Sequence, residues 1–188
     1  LARVPTAYAR LTRTLCLAWR RVTRRVPATV FHVTHYKAGS QWVYRILHAL
    51  AEECVVPPEP GVDHFLKKPL RAGAVYPTVY VTRGQFEAAA LPREWRRFVV
   101  IRDLRDTLVS LYFSVRQTHP VIDPRLQLER GVLSELSVED GLLYLIRTMI
   151  THIAQIQWSW RASGEELIKY EDLLDRDEEI LARVLLKG

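Results

Sequence analysis

Two short segments of the chain carry residue types that can hold a phosphate or another small anion. The first is Thr34-His35-Tyr36-Lys37-Ala38-Gly39-Ser40-Gln41-Trp42. A glycine followed by a hydroxyl residue at a helix start leaves backbone N–H groups aimed at one spot, with the helix dipole behind them. Lys37 adds an ammonium at the mouth of that turn, Ser40 a hydroxyl, and Trp42 a flat face for a base. The second segment runs through residues 99–110. Arg102 offers a planar fork for two phosphate oxygens, and Ser110 stands eight residues on, in the helix that follows. A plainer reading pairs Arg102 with Asp106 across the turn, and Asp106 can also cap that helix. The nucleotide-binding loop GxxxxGK[ST] puts its lysine after the glycine. Here Lys37 precedes a single Gly39, which disfavours a P-loop kinase relative.

The elements around these segments must bring them together. Residues 26–34 (VPATVFHVT) are β-branched and aromatic and predict a buried strand. Val43, Ile46, Leu47 and Leu50 then recur at helical spacing over 41–53, before a loop marked by Pro57, Pro58, Pro60 and Gly61. Residues 75–81 predict a strand, with Pro77 pointing to a sheet edge or an early break. The run 98–101 (FVVI) predicts a strand covered on both faces, and 106–115 return to helical spacing. After a loop with Pro120 and Pro124, Ser137 followed by Asp140 caps a long helix reaching about Trp160. A short strand over 167–169 and a helix over 173–186 complete the reading.

Strands alternating with helices predict an α/β domain: three layers, P-loop-like, with a central parallel sheet and helices on both faces. Ligands of such sheets bind beyond the carboxyl ends of the strands. The junctions at 34–42, 102–110 and 169–173 are therefore where a site belongs.

Composition narrows the class of partner. The 188 residues are 48% hydrophobic and 26% charged, as one globular domain requires, and the formal charge is +6. Residues 1–26 hold seven of the 27 basic residues and none of the 21 acids, leaving 20 basic against 21 acidic, a net of −1 for the remainder. A nucleic-acid-binding domain carries its positive excess on the fold itself, so nucleic acid is disfavoured as a partner. Tyr8, Leu11, Leu15, Ala18 and Val22 give 1–26 the pattern of a basic amphipathic helix. That helix could lie on an anionic membrane surface, steer an acidic substrate, or pack on the domain by its apolar stripe. Cys16 and Cys54 stand alone, without a CxxC pair or a histidine-rich neighbour. They fit a reducing, cytoplasmic compartment and argue against a disulfide scaffold or a zinc site. The longest uncharged run, 148–160, is too short for a membrane span.

Taken together, the segments resemble the sulfotransferases that use 3′-phosphoadenosine-5′-phosphosulfate. Lys37-Ala38-Gly39-Ser40-Gln41-Trp42 is similar to that family's 5′-phosphosulfate loop. Residues 100–110 are similar to its 3′-phosphate strand–turn–helix, with an arginine, an aspartate four residues on and a Val-Ser pair. Lys169-Tyr170-Glu171-Asp172-Leu173 is similar to its Tyr-Glu-Asp segment after a later strand. The resemblance covers about residues 28–188, the unit 27–188 being the expected domain. It implies that Lys37 stabilises charge on the leaving bridging oxygen, and that the amides of Gly39, Ser40 and Gln41 with the Ser40 hydroxyl hold the 5′-phosphate. It further implies that Trp42 and Tyr170 bracket the adenine and that Arg102 and Ser110 bind the 3′-phosphate. No metal is implied, and the acceptor would be a small molecule, sugar or lipid bearing a hydroxyl or amine. The alternative is a phosphate-binding module of the same fold without catalysis.

Two departures from the family pattern stand out. The stretch Val79-Tyr80-Val81-Thr82-Arg83 aligns with a segment that commonly carries a histidine base, and it has none. His64 and Glu87 are the nearest substitutes, each more simply read as a surface residue. His32 and His35, three apart, fall on opposite faces of their strand, and His119 lies in a loop. The chain also begins at Leu1 and stops at Gly188, before the family's C-terminal Arg-Lys-Gly element, so a fragment is expected.

Overall fold

The computed structural model describes residues 28–59, 63–118 and 124–186. The amphipathic helix expected over 1–26, the start of the first strand, Pro60 and Gly61, and His119 lie outside the described residues, as does the His64 side chain. Four strands form a parallel sheet: β1 (Thr29–Val33), β2 (Val75–Val79), β3 (Trp95–Ile101) and β4 (Leu167–Lys169), in the order β2-β1-β3-β4. Helix α1 (Ser40–Ala51) follows β1, and α2 (Asp63–Leu66) and α3 (Arg83–Glu87) flank β2. Between β3 and β4 come α4 (Leu104–Phe113), α5 (Pro124–Glu135), α6 (Val138–Leu145) and α7 (Thr151–Arg161); α8 (Tyr170–Leu186) ends the described chain. Among the described residues no helix is long and apolar enough to cross a membrane.

Alternation along the strands builds two apolar layers. Val30, Phe98, Val100 and Ile168 face α1 (Val43, Ile46, Leu47) and α8 (Leu173, Ile180, Leu181, Leu185). Phe31, Val33 and Val99 face Phe65, Phe86 of α3, and Ile156 and Trp160 of α7. All five residues of β1 are buried, as a strand covered on both faces requires. A third apolar cluster joins Leu111 and Tyr112 of α4 to Leu133, Leu145 and Ile153. A Cβ at Gly141 would stand 2.7 Å from the Tyr112 ring, so a glycine lets α6 approach α4.

Pro77 lies on β2, an edge strand as its lack of an N–H requires. The pairing there slips by one residue: Phe31 opposes Tyr76 but Val33 opposes Val79. This bulge lets Tyr76 and Val79, three apart, share one apolar layer. His32 pins it. Its Nδ1–H donates to the Pro77 carbonyl at 2.6 Å, and its ring stacks on Phe98 at 4.9 Å between centroids.

Several expectations are corrected. Strand β3 starts at Trp95, three residues early, because the charge of Arg97 is absorbed. Its guanidinium lies 5.0–5.3 Å from the ring centroids of Phe86, Trp95 and Trp160 and pairs with Glu165. Helix α4 begins at Leu104 and is capped by Asp103, which accepts from the Arg105 amide, rather than by Asp106. Helix α5 was not expected: one residue of it, Leu133, is buried, so its sequence shows little periodicity. The long helix capped by Ser137 forms as α6 and α7 with a wide π turn, Ile146–Ile150, between them. Helix α8 starts three residues early and kinks at Arg176.

Burial lowers the His32 pKa from 6.5 to about 4. The folded chain therefore keeps this ring neutral while the unfolded chain protonates it, so stability is full above pH 6.5 and falls towards pH 4. The contribution lost is about 3 kcal/mol. In urea titrations His32→Asn should be less stable than wild type at neutral pH, with the gap narrowing steadily across that window.

Candidate functional site

The parallel strands end on one side of the sheet, and of the residues singled out from the sequence Lys37, Gly39, Trp42, Arg102 and Tyr170 meet there. The turn after β1 carries two left-handed residues, Lys37 (φ 68°) and Gly39 (φ 80°). For lysine that conformation costs about 1–2 kcal/mol, a strain that persists only where the surroundings enforce it. At Gly39 a Cβ would stand 2.6 Å from two atoms of the Tyr170 ring, so only glycine fits both the φ and the contact.

The turn ends in a bare helix start. Ala38 donates to the His35 carbonyl, and Trp42 and Val43 both donate to the Gly39 carbonyl. Between them the amides of Gly39, Ser40 and Gln41 have no acceptor among the described residues, and Gly39 supplies no side-chain cap. Ser40 is buried beside them, and the Tyr80 hydroxyl donates to its Oγ at 2.8 Å. Having accepted from Tyr80, Ser40 keeps its own O–H to give outward. Burial pushes the Tyr80 hydroxyl up to about 12, so it stays a donor.

Arg102 closes the site from β3. Its Nη1 donates to the Lys37 carbonyl at 2.9 Å and its guanidinium lies 4.6 Å from the centroid of the Tyr170 ring. Asp106 is not its partner: Arg102 reaches across to the first turn, and its Nε, buried, has no hydrogen-bond partner among the described residues. Burial, and then the neighbouring Arg102 charge, lower the pKa of the Lys37 ammonium. Two cationic residues and three free amides thus share one turn and the strand end beside it, and among the described residues no ion pair joins a carboxylate to either cation.

Tyr170 and Glu171 come from the start of α8. The Trp42 and Tyr170 rings meet edge to face at 6.4 Å (86°) rather than standing parallel with a gap between them. Glu171 accepts from the Asp103 amide at 3.1 Å, tying β3 to α8. Ser110 sits two turns into α4, half-buried, and no hydrogen bond joins it to Arg102. The buried hydroxyl of Thr107, one turn nearer, has no partner among the described residues. Glu87 is exposed on α3 in an ion pair with Arg83 at 2.6 Å. Among the described residues no cluster of three His, Cys, Asp or Glu side chains could hold a metal.

Three participants were not singled out from the sequence. His35 bridges the ends of β1 and β3 and helix α7; Tyr80 orients Ser40; Glu171 latches α8. The signal for Glu171 was its place beside Tyr170 after a strand. For the other two there was none, since both contacts depend on which loops the sheet order makes neighbours. Comparisons of the chain with protein-family models, with curated proteins and with solved structures find no match.

Gly39→Ala should destabilise the fold by about 2 kcal/mol or more, since it adds a left-handed strain to a clash with Tyr170. Gly84→Ala, on α3 with open space around it, should be neutral or stabilising by up to about 1 kcal/mol. Chemical denaturation of the two variants side by side checks both signs.

Proposed function

We propose that the chain is a sulfotransferase that takes its sulfuryl group from 3′-phosphoadenosine-5′-phosphosulfate and passes it to a hydroxyl or amine acceptor. The observation that carries this reading is the convergence of Lys37, the free amides of Gly39, Ser40 and Gln41, and Arg102 at the carboxyl edge of one parallel sheet.

The residues fit such a donor on the chemistry of their groups. The three amides and the Ser40 O–H would hold the 5′-phosphate as hydrogen-bond donors, with the α1 dipole behind them. Arg102, with its unpartnered Nε, would turn to a second phosphate, the group that distinguishes this donor from AMP or ATP. Ser110 is the further group that the family resemblance assigns to that phosphate. Trp42 and Tyr170 supply aromatic surface for the base. When bound, the donor supplies an activated sulfuryl group on a phosphate leaving group. In the transfer the sulfur–bridging-oxygen bond would break as the acceptor–sulfur bond forms in line, the acceptor's proton would pass to solvent water, and adenosine 3′,5′-bisphosphate would be left. Lys37 would neutralise the charge growing on the bridging oxygen, and its strained backbone holds it at the mouth of the turn. Positioning and charge stabilisation would make up most of this catalysis, by analogy with phosphoryl transfer.

Titration calorimetry with adenosine 3′,5′-bisphosphate and AMP tests the donor. The bisphosphate should bind at least about tenfold more tightly, and Arg102→Ala should erase that preference. Equal affinities in the wild type would remove the reading. Lys37→Ala should lower sulfuryl transfer from labelled donor by about a hundredfold or more while leaving the urea midpoint within error. Unchanged turnover would exclude the role given to Lys37.

A further inference from the structure

We propose that His35 is the positioning residue of this site: its Nε2 holds the backbone amide of Arg102 and so fixes the point from which the phosphate-reading fork extends. The proposal rests on the donor reading above.

His35 lies fully buried just past the end of β1. Its Nδ1 is 2.9 Å from the Tyr36 carbonyl, which can only accept, so Nδ1 carries a proton. Nε2 faces two groups at once: the Arg102 N–H at 3.3 Å and the Gln157 Oε1 at 2.8 Å. It cannot serve both. As a neutral ring it accepts from the Arg102 N–H, and the Gln157 amide turns to offer its NH2. As a cation it donates to Gln157 Oε1, and the Arg102 amide is left buried without an acceptor.

The surroundings choose the first state. Burial is the largest influence and disfavours the cation, and the Arg102 charge at the end of β3 acts the same way. The Tyr36 carbonyl on its own loop, Gln157 from α7 and the Glu171 carboxylate from α8 oppose them, and the balance lies below the ordinary histidine value. In the neutral state three elements are pinned at one ring: the turn that carries Lys37, the strand end that carries Arg102, and α7. A guanidinium that must meet two phosphate oxygens tolerates little displacement, so the anchor of its backbone governs its selectivity.

The test uses the full chain and the ratio of AMP to adenosine 3′,5′-bisphosphate dissociation constants, measured by calorimetry from mildly acid to alkaline pH. Comparing variants at each pH cancels the ionisation of the ligands themselves. Gln157→Glu places a carboxylate against Nε2, favours the cation, and should cut the ratio about tenfold near neutrality, with recovery at alkaline pH. His35→Gln puts an uncharged acceptor near the same place. It should keep the ratio at neutral pH and hold it on acidification to a point where the wild type has lost it. Gln157→Met, which removes a bond to Nε2 but adds no charge, should leave the ratio as in the wild type. A merely structural role would lower the melting temperature of these variants without moving the pH at which the ratio falls. A ratio for Gln157→Glu that superimposes on the wild type at every pH would overturn the proposal, as would equal losses in Gln157→Met and Gln157→Glu. No preference for the bisphosphate in the wild type would remove the donor reading instead, and is a distinct result.

Discussion

The two-sided burial of β1 governs the rest of the structure. Hydrogen-bonded to β2 on one side and β3 on the other, and covered by helices on both faces, this strand has one exit, past its carboxyl end. The chain must turn there at once to start α1 and return along the sheet. That need produces the left-handed Lys37 and Gly39, the uncapped start of α1 and its three free amides. The free amides that the proposed donor site would use are thus a by-product of how a buried parallel strand must end.

Neighbouring strands complete what β1 begins. Because β3 lies beside β1, Arg102 leaves its strand within reach of the Lys37 carbonyl. Because β4 lies beside β3, Tyr170 and Glu171 arrive against the same turn. Lys37 and Arg102 repel one another, and the fold holds them together with neutral groups: a carbonyl, an aromatic face and a backbone amide gripped by a buried imidazole. Among the described residues no carboxylate is ion-paired with either charge, so their repulsion stands uncompensated there.

Much of this was legible in the sequence. The β-branched runs and the helical spacing of Val43, Ile46 and Leu47 located the sheet and α1, and Pro77 left β2 either an edge strand or an early-ending one, of which the sheet order shows the first. Lys37, Gly39, Ser40 and Arg102 each sit in a segment that is common by itself; they stood out because those segments and the Tyr170 segment follow in order at three strand–helix junctions. What escaped was everything decided by tertiary neighbours. Arg97 inside a strand looks like a boundary until three rings close around it. His35 and Gln157, 122 positions apart, meet only because α7 crosses the end of β1. The cap of α4 moved from Asp106 to Asp103 because local hydrogen bonding to Arg105 decides between two aspartates that sequence spacing leaves equivalent.

The bulge at Pro77 has a bearing beyond the site. A parallel sheet with an open edge offers a row of backbone donors and acceptors on which another strand can grow. On β2 that row is interrupted. Val55 and Val56 cover its first register position, Pro77 withholds an N–H, and the extra residue breaks the even repeat that a second strand would need. At the opposite edge β4 is three residues long. The feature that lets Tyr76 and Val79 share one layer also interrupts the row on which a further strand would grow, so edge protection and core packing come from the same irregularity.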